Sequence, residues 1–299
     1  MAPAAKRPGG ARAGLVAGGL IVGGFALAAL LAPFLSNLIG QDPFEQVLPK
    51  NLVPPTPPDA EHLLGTDNLG RDLLSRLIHG ARISLLVGVL AEAIAFLIGT
   101  AVGATAGLAA GGRLDAFLMR FTDLIFAFPA PLMALAVIAT VPEPENVPVL
   151  RLLPQPSVAV MFLVLGCLRW SGFARLVRAQ VMRARALEFA RAAEALGARA
   201  ARIALRHLLP HSAGPLIAAI TLGIGSNILM EAWLSFLGVG ARPPLPSWGT
   251  MITEGQSYIL SKPWVSMTPG AAILLVVLGF NLLGDALGAR FEPHRQNAP

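Results

Sequence analysis

Charged residues are scarce in this sequence. Only 13% of its 299 residues are Asp, Glu, Lys or Arg, whereas a soluble domain usually carries about 25%. Apolar residues make up 55% of the chain, and the mean hydropathy is +0.65. A chain of this composition cannot cover a large soluble domain with polar surface. We therefore predict a membrane protein with little mass outside the bilayer.

Cysteine and lysine are nearly absent as well. The one cysteine, Cys167, excludes an intrachain disulfide, and its apolar surroundings lead us to expect a small buried side chain. The three lysines are Lys6, Lys50 and Lys262, and none stands in the Gly-Lys-Ser/Thr pattern of a phosphate-binding loop. The chain therefore has no ATPase site of that class, and we identify no catalytic residue.

Metal and nucleic-acid ligands are also not indicated. No cluster of histidines or cysteines has metal-ligand spacing. His207 and His211 stand four residues apart, but Pro210 lies between them, so we expect no metal site there. Aromatic residues are not interleaved with the arginines, which argues against a nucleic-acid partner despite the net charge of +6.

Long apolar runs are plentiful, and they predict an all-α polytopic protein with about six membrane-spanning helices. The runs cover residues 13–35, 81–110, 117–140, 157–170, 212–240 and 267–289. The third run contains the segment 128–131, Phe-Pro-Ala-Pro, and should be broken there. Trp170, Trp248 and Trp264 are expected to anchor helix ends at the membrane interface.

Positive charge predicts the orientation of these spans. With the N-terminus inside, 16 of the 23 lysines and arginines fall on the cytoplasmic side, nine of them between Arg169 and Arg206. Both termini should then be cytoplasmic. Residues 1–80 would form a tail, the first span and a Pro-rich extracytoplasmic segment. Residues 81–290 would form a transmembrane domain of five helices, with a cytoplasmic tail over residues 291–299.

Three polar residues lie inside the apolar runs, namely Glu92, Asn227 and Glu231. A carboxylate at the centre of a span costs about 2.5–3.5 kcal/mol on insertion scales, so Glu92 should face the bundle interior and not lipid. A translocation pathway and an internal hydrogen bond both account for Glu92. For Glu231, hydrogen bonding between helices is the leading alternative to a pathway role.

The stretch from Arg169 to His211 differs from everything around it. It carries nine arginines and many alanines and leucines, and its first proline is Pro210. This composition predicts two amphipathic helices that meet at Gly197, where a chain reversal is least strained. A basic amphipathic segment is also typical of a helix on a lipid surface, so the pattern alone leaves both roles open.

Three separated motifs resemble one family of transport proteins. The segment 189–197, Phe-Ala-Arg-Ala-Ala-Glu-Ala-Leu-Gly, followed by His-Leu-Leu-Pro over 207–210, resembles the coupling loop of ABC-importer permeases. Segments that resemble the dipeptide, oligopeptide and nickel branch of that family are Gly65–Asp72, Glu231–Gly238 and Pro243–Gly249. The resemblance covers the chain from about residue 63 to residue 291.

This resemblance implies that the loop over residues 174–211 docks on an ATPase subunit. The positions assigned to the loop are Arg191, Ala192, Ala193, Gly197, Leu209 and Pro210, and all but Arg191 match the family. Arg191 stands where the family has the glutamate that gives the motif its name. A contact made by that glutamate is therefore not carried over to this chain.

The resemblance also implies the partner subunits and the membrane in which the protein lies. They are a homologous second permease subunit, two ATP-binding cassette subunits, an extracytoplasmic substrate-binding protein and the lipid of a prokaryotic inner or plasma membrane. The chain itself would bind no cofactor, and ATP would be hydrolysed by partner subunits. The implied cargo is di- or oligopeptides, with nickel or another small solute as the alternative.

Two other classes of membrane protein would work without ATPase subunits. A secondary transporter is one, but we find no paired half-repeats with matched broken helices in the sequence. A membrane-anchored scaffold is the other, and the intramembrane Glu92 and Glu231 argue against it.

Overall fold

The computed structural model of the protein describes residues 8–46, 54–141, 143–153, 155–188 and 213–290. Within these ranges the regular structure is helical, apart from one antiparallel bridge between Thr66 and Asp72. The helices are α1 (Pro8–Leu30), α2 (Ala32–Ile39), α3 (Leu73–Leu108), α4 (Arg113–Ala127), α5 (Ala130–Ala139), α6 (Pro156–Arg185), α7 (Ala213–Phe236), α8 (Trp248–Gly255) and α9 (Trp264–Arg290). The predicted all-α class is confirmed.

Five of these helices, α1, α3, α6, α7 and α9, are long and apolar enough to cross a membrane. The pair α4 and α5 brings the number to six if it forms one broken span, because its two parts meet at 80°. The break lies at Phe128, which is extended, and Pro129, which has no N–H to continue the helix. The predicted break in the third span is found, and the count of spans is the predicted six when the pair α4 and α5 is taken as one span.

Helix α3 begins earlier than predicted. The carboxylate of Asp72 caps it by accepting a hydrogen bond from the Ser75 N–H at 2.7 Å, and the helix then runs for 36 residues. At 1.5 Å per residue it is about 54 Å long, far more than the roughly 30 Å of a bilayer's hydrocarbon core. The domain boundary predicted between residues 80 and 81 therefore falls inside one continuous helix. Gly80 lies inside this helix and packs against the ring of Trp248.

Helix α6 ends later than predicted, at Arg185 and not at Trp170. Trp170 is buried and stacks on Phe121 with the ring centroids 6.0 Å apart, so it is not an interfacial anchor. Val177 and Val181, beyond it, are buried as well and keep the helix in the bundle. Residues 174–185, predicted as the start of the coupling loop, are thus part of a membrane-span helix.

Two further side chains differ from expectation. Trp248 is fully buried, and its indole Nε1–H donates to the Leu77 carbonyl at 3.0 Å, so it is a core residue and not an interfacial anchor. Cys167 is exposed on α6, where we expected a buried side chain. Both errors arise because position along an apolar run does not indicate which face of the helix packs against a neighbour.

The closest packing in the bundle joins α3 to α6. Gly99, Gly103 and Gly107 recur every fourth residue on α3 and all face α6. A Cβ on Gly103 would lie 2.4 Å from the carbonyl oxygen of Ala174, so the two backbones touch. Small residues allow this approach, which is how helices associate in lipid.

We expect Gly103→Ala to destabilise the solubilised protein by about 1–3 kcal/mol, because the added methyl must push the α6 backbone away. Gly24→Ala in α1 is the matched control, since a Cβ there has nothing within 4 Å. The measurement is thermal unfolding of both variants in detergent. Equal unfolding temperatures for the two variants would contradict the close approach.

Candidate functional site

A polar seam runs along one face of α7, with its members four residues apart. Gly223, Asn227, Glu231 and Ser235 occupy this face, and all four are buried. Opposite them, α3 presents Glu92 to the same contact. Asn227, Glu231 and Glu92 are the three residues that we predicted for a pathway, and the structure brings them together along one helix pair.

Glu92 lies near the middle of α3 and is only 2% exposed. Its carboxylate rests over Gly223, where a Cβ would come within 1.7 Å of the Glu92 Oε1. The Nδ2 of Asn227 donates a hydrogen bond to the Glu92 Oε2 at 2.8 Å. The predicted inward orientation of Glu92 is therefore observed, and the glycine at position 223 is what leaves room for it.

Glu231, two turns of α7 from Gly223, is completely enclosed. Its Oε2 accepts a hydrogen bond from the Ser84 hydroxyl at 2.9 Å, and its Oε1 accepts one from the Ser235 hydroxyl at 2.8 Å. The Ser84 oxygen in turn accepts from the N–H of Trp248 at 3.3 Å. This network joins α3, α7 and α8, which favours the helix-bonding interpretation of Glu231.

Beside Glu92 the helices α3, α6 and α7 leave a cavity of about 210 Å³. Its polar lining consists of Glu92, Arg169 and Ser226, and the rest is small or apolar. We predicted Arg169 in the cytoplasmic loop, which is wrong because α6 continues past it. We did not predict Arg169 as a site residue, although an arginine inside an apolar membrane span usually indicates a functional site.

The six residues assigned to the coupling loop lie outside the described residues, namely Arg191, Ala192, Ala193, Gly197, Leu209 and Pro210. The structure does describe how α6 approaches them. Arg178 binds Asp115 with both Nε and Nη2, at 2.6 and 2.7 Å. Arg185 donates to the Leu108 carbonyl at 2.8 Å.

A second ionic cluster lies at the opposite end of α3. Glu254 of α8 accepts hydrogen bonds from the Nη2 atoms of Arg71 and Arg76, at 2.9 and 2.7 Å. Asp67 completes the cluster, with its Oδ2 2.6 Å from the Arg71 Nε and 3.1 Å from the Arg76 Nε. The motif Gly65–Asp72 is thereby fixed to α8, and both arginines are buried.

The fit between Glu92 and Gly223 predicts a non-additive pair of substitutions. Gly223→Ala should lower the unfolding temperature of the solubilised protein, because its Cβ would overlap the carboxylate, at a cost of about 1–3 kcal/mol. In a Glu92→Ala background the same change should cost much less, since the carboxylate is gone. The measurement is a thermal double-mutant cycle. Equal costs in the two backgrounds would show that Glu92 does not occupy the space over Gly223.

Comparison with known proteins identifies the family. The family of binding-protein-dependent transport system inner membrane components matches residues 99–297. The dipeptide transport system permease protein DppC of Alkalihalophilus pseudofirmus is 38% identical over 90% of this chain and 82% of its own length. The protein of the same name in Bacillus subtilis is 37% identical over 89% of this chain and 77% of its own.

A third relative and a solved structure agree with this match. The glutathione transport system permease protein GsiD of Pectobacterium atrosepticum is 38% identical over 79% of this chain and 74% of its own. The MetNI methionine ABC transporter, in an inward-facing conformation, has a chain that matches at a TM-score of 0.55 and 18% identity, covering 73% of this chain and 97% of that one. This chain therefore belongs to the family of inner-membrane permease components of binding-protein-dependent ABC importers.

Proposed function

We propose that this chain forms half of the translocation pathway of an ATP-driven importer of di- and oligopeptides. The observation that carries the proposal is the match, over most of both chains, to permease proteins of dipeptide and oligopeptide transport systems. Nickel or another small solute is the alternative cargo. A secondary transporter is the less favoured class, because the family works in binding-protein-dependent systems.

The proposed assembly contains a homologous second permease subunit, two ATP-binding cassette subunits and an extracytoplasmic substrate-binding protein. The chain would contribute no cofactor site and no catalytic residue, and the cassette subunits would hydrolyse ATP. Support comes from the sequence, whose three lysines do not form a phosphate-binding loop. In this assembly the ATPase cycle would open the spans alternately to the two sides of the membrane.

In this proposal the loop over residues 174–211 transmits the ATPase movement. Its first part is the end of α6, which is held by Arg178 on Asp115 and by Arg185 on the Leu108 carbonyl. These contacts give the loop a stiff base on α3 and α4. Gly197 would form the turn that enters a groove of the cassette subunit, with Ala192, Ala193, Leu209 and Pro210 around it.

In the proposed orientation, both termini and the Arg185 end of α6 lie in the cytoplasm. The ionic cluster of Asp67, Arg71, Arg76 and Glu254 then lies on the extracytoplasmic side, where the binding protein would dock. Among the pathway candidates, Glu92 is the one that lines a cavity, and Asn227 holds it in place. Glu231 would stabilise the helix contacts beside the pathway.

The coupling assignment predicts the effect of Gly197→Arg. A large side chain at the turn resists a positive φ by roughly 1 kcal/mol or more and would also fill the space that the partner groove needs. We expect a normal membrane level and normal permease pairing, weakened binding of the cassette subunit, and loss of peptide uptake. The measurements are uptake and co-purification of the cassette subunit.

Arg191→Ala is the matched control, because this chain already lacks the family's glutamate at that position. It should retain cassette binding and most of the uptake. Full transport by Gly197→Arg would contradict the coupling role of the loop.

The orientation predicts which positions an impermeant thiol reagent reaches from outside. In a Cys167→Ser background, Ala186→Cys at the end of α6 should stay unlabelled in intact cells and react after the membrane is opened. Glu61→Cys, exposed in the segment before α3, should react from outside and serves as the control. Labelling of position 186 from outside would reverse the proposed orientation.

A further inference from the structure

Arg169 is an unusual residue for its position. It lies near the middle of α6, half-buried, and among the described residues it makes no hydrogen bond and no ion pair within 4.0 Å. Placing an arginine at the centre of a span costs about 2.5–3.5 kcal/mol on insertion scales, and such residues usually face a partner or a water-filled cavity. The fold supplies the cavity, but no described residue forms a hydrogen bond with the guanidinium group.

Two arginines in the following turns of α6 do have partners. Arg175 donates to Asp123 at 2.7 Å and lies over the ring of Phe126, and Arg178 binds Asp115. Arg169 differs from these two because no described residue accepts a hydrogen bond from it, although it lines a cavity. Its guanidinium group carries five N–H donors, and none is used by a described residue.

Glu92 lines the same cavity but does not neutralise Arg169 by direct contact. It acts on Arg169 through space, while its own Oε2 accepts a hydrogen bond from Asn227 and its carboxylate is enclosed over Gly223. Glu92 is only 2% exposed, whereas Arg169 is half-buried. The group that an entering molecule meets is therefore the cation, and the matching chemistry is an anion.

The size of the cavity restricts that anion. About 210 Å³ is less than the roughly 300–1,000 Å³ of a complete small-molecule site, so the cavity would hold one end of a larger molecule. Its walls beside the charged groups are Gly172, Gly223, Ser226 and Leu222, which leave room for a slender group. A terminal carboxylate on an extended chain has this shape, and a guanidinium group binds it through two parallel hydrogen bonds.

We propose that Arg169 binds the terminal carboxylate of the peptide, which enters the cavity between α3, α6 and α7 while the rest of the peptide stays outside it. The proposal rests on the proposed peptide cargo, and it adds the recognised group and the residue that recognises it. Glu92 is not assigned to the carboxylate, because its own carboxylate is enclosed over Gly223 and accepts a hydrogen bond from Asn227.

The charge of the cavity can be tested without any cargo. In the assembled transporter, Ser226→Cys in a Cys167→Ser background places a thiol on the cavity wall. Its reaction rates with a sulfonate-bearing and a trimethylammonium-bearing thiosulfonate are compared. We expect Arg169→Gln to lower the ratio of the first rate to the second about tenfold, since a unit charge at short range acts on both reagents in opposite directions.

Two variants control this labelling experiment. Arg169→Lys keeps the charge and should keep the ratio. Arg175→Gln makes the same substitution on the same helix at a residue that is already paired with Asp123, and it should leave the ratio unchanged. An unchanged ratio in Arg169→Gln would overturn the proposal, because the guanidinium group would then not face the cavity.

The recognised group is tested by transport. Proteoliposomes with the complete transporter receive a peptide with a free C-terminus or its C-terminal amide, chosen so that the isolated binding protein holds both equally. The maximal uptake rate of the free peptide should exceed that of the amide, and Arg169→Gln should remove the difference by lowering the free-peptide rate about 10- to 100-fold. Arg169→Lys should restore part of it.

The two experiments separate this proposal from the proposed cargo. If the wild type imports peptides and Arg169→Gln imports them equally well, the carboxylate site is wrong and the peptide importer stands. If the wild type imports no peptide but Arg169→Gln still lowers the labelling ratio, the peptide cargo is wrong, and with it the carboxylate ligand. The labelling result would then support only an anion-facing Arg169.

Discussion

The backbone contact between α3 and α6 is the constraint on which the other features of the bundle depend. In lipid, two apolar helices gain little from leaving the solvent, so close packing must supply the attraction. Gly99, Gly103 and Gly107 let α3 approach α6 until the backbones meet, and Gly166 does the same from the side of α6. This contact fixes Glu92 and Arg169 at one level of the bundle, and α7 then closes the cavity between them.

Much of the fold could be predicted because hydropathy is a sum over many residues. The six apolar runs and the break at Phe128–Pro131 were found from composition and from proline chemistry alone. The inward orientation of Glu92 followed from the cost of exposing a carboxylate to lipid. None of these inferences needed to know which helix lies beside which.

The features that were missed all depend on the facing helix. Trp170 and Trp248 look like interfacial anchors in the sequence, but Phe121 and the Leu77 carbonyl hold them inside the bundle. The helix boundary at residue 170 was wrong for the same reason, and it hid Arg169 among the loop arginines. Two sequence patterns could have indicated which helix faces are buried. One is the four-residue spacing of glycines from Gly99 to Gly107, and the other is the four-residue spacing of Gly223, Asn227, Glu231 and Ser235.

The length of α3 connects three places that could otherwise be treated separately. Arg76 near its first turn binds Glu254 of α8, Glu92 at its middle lines the cavity, and the Leu108 carbonyl at its end accepts a hydrogen bond from Arg185. A continuous helix is stiff along its axis, and its glycines lie against α6, so the two helices must shift together or separate. We therefore expect a displacement that begins at the Arg185 end of α6 to be passed along the α3–α6 contact to the cavity around Arg169.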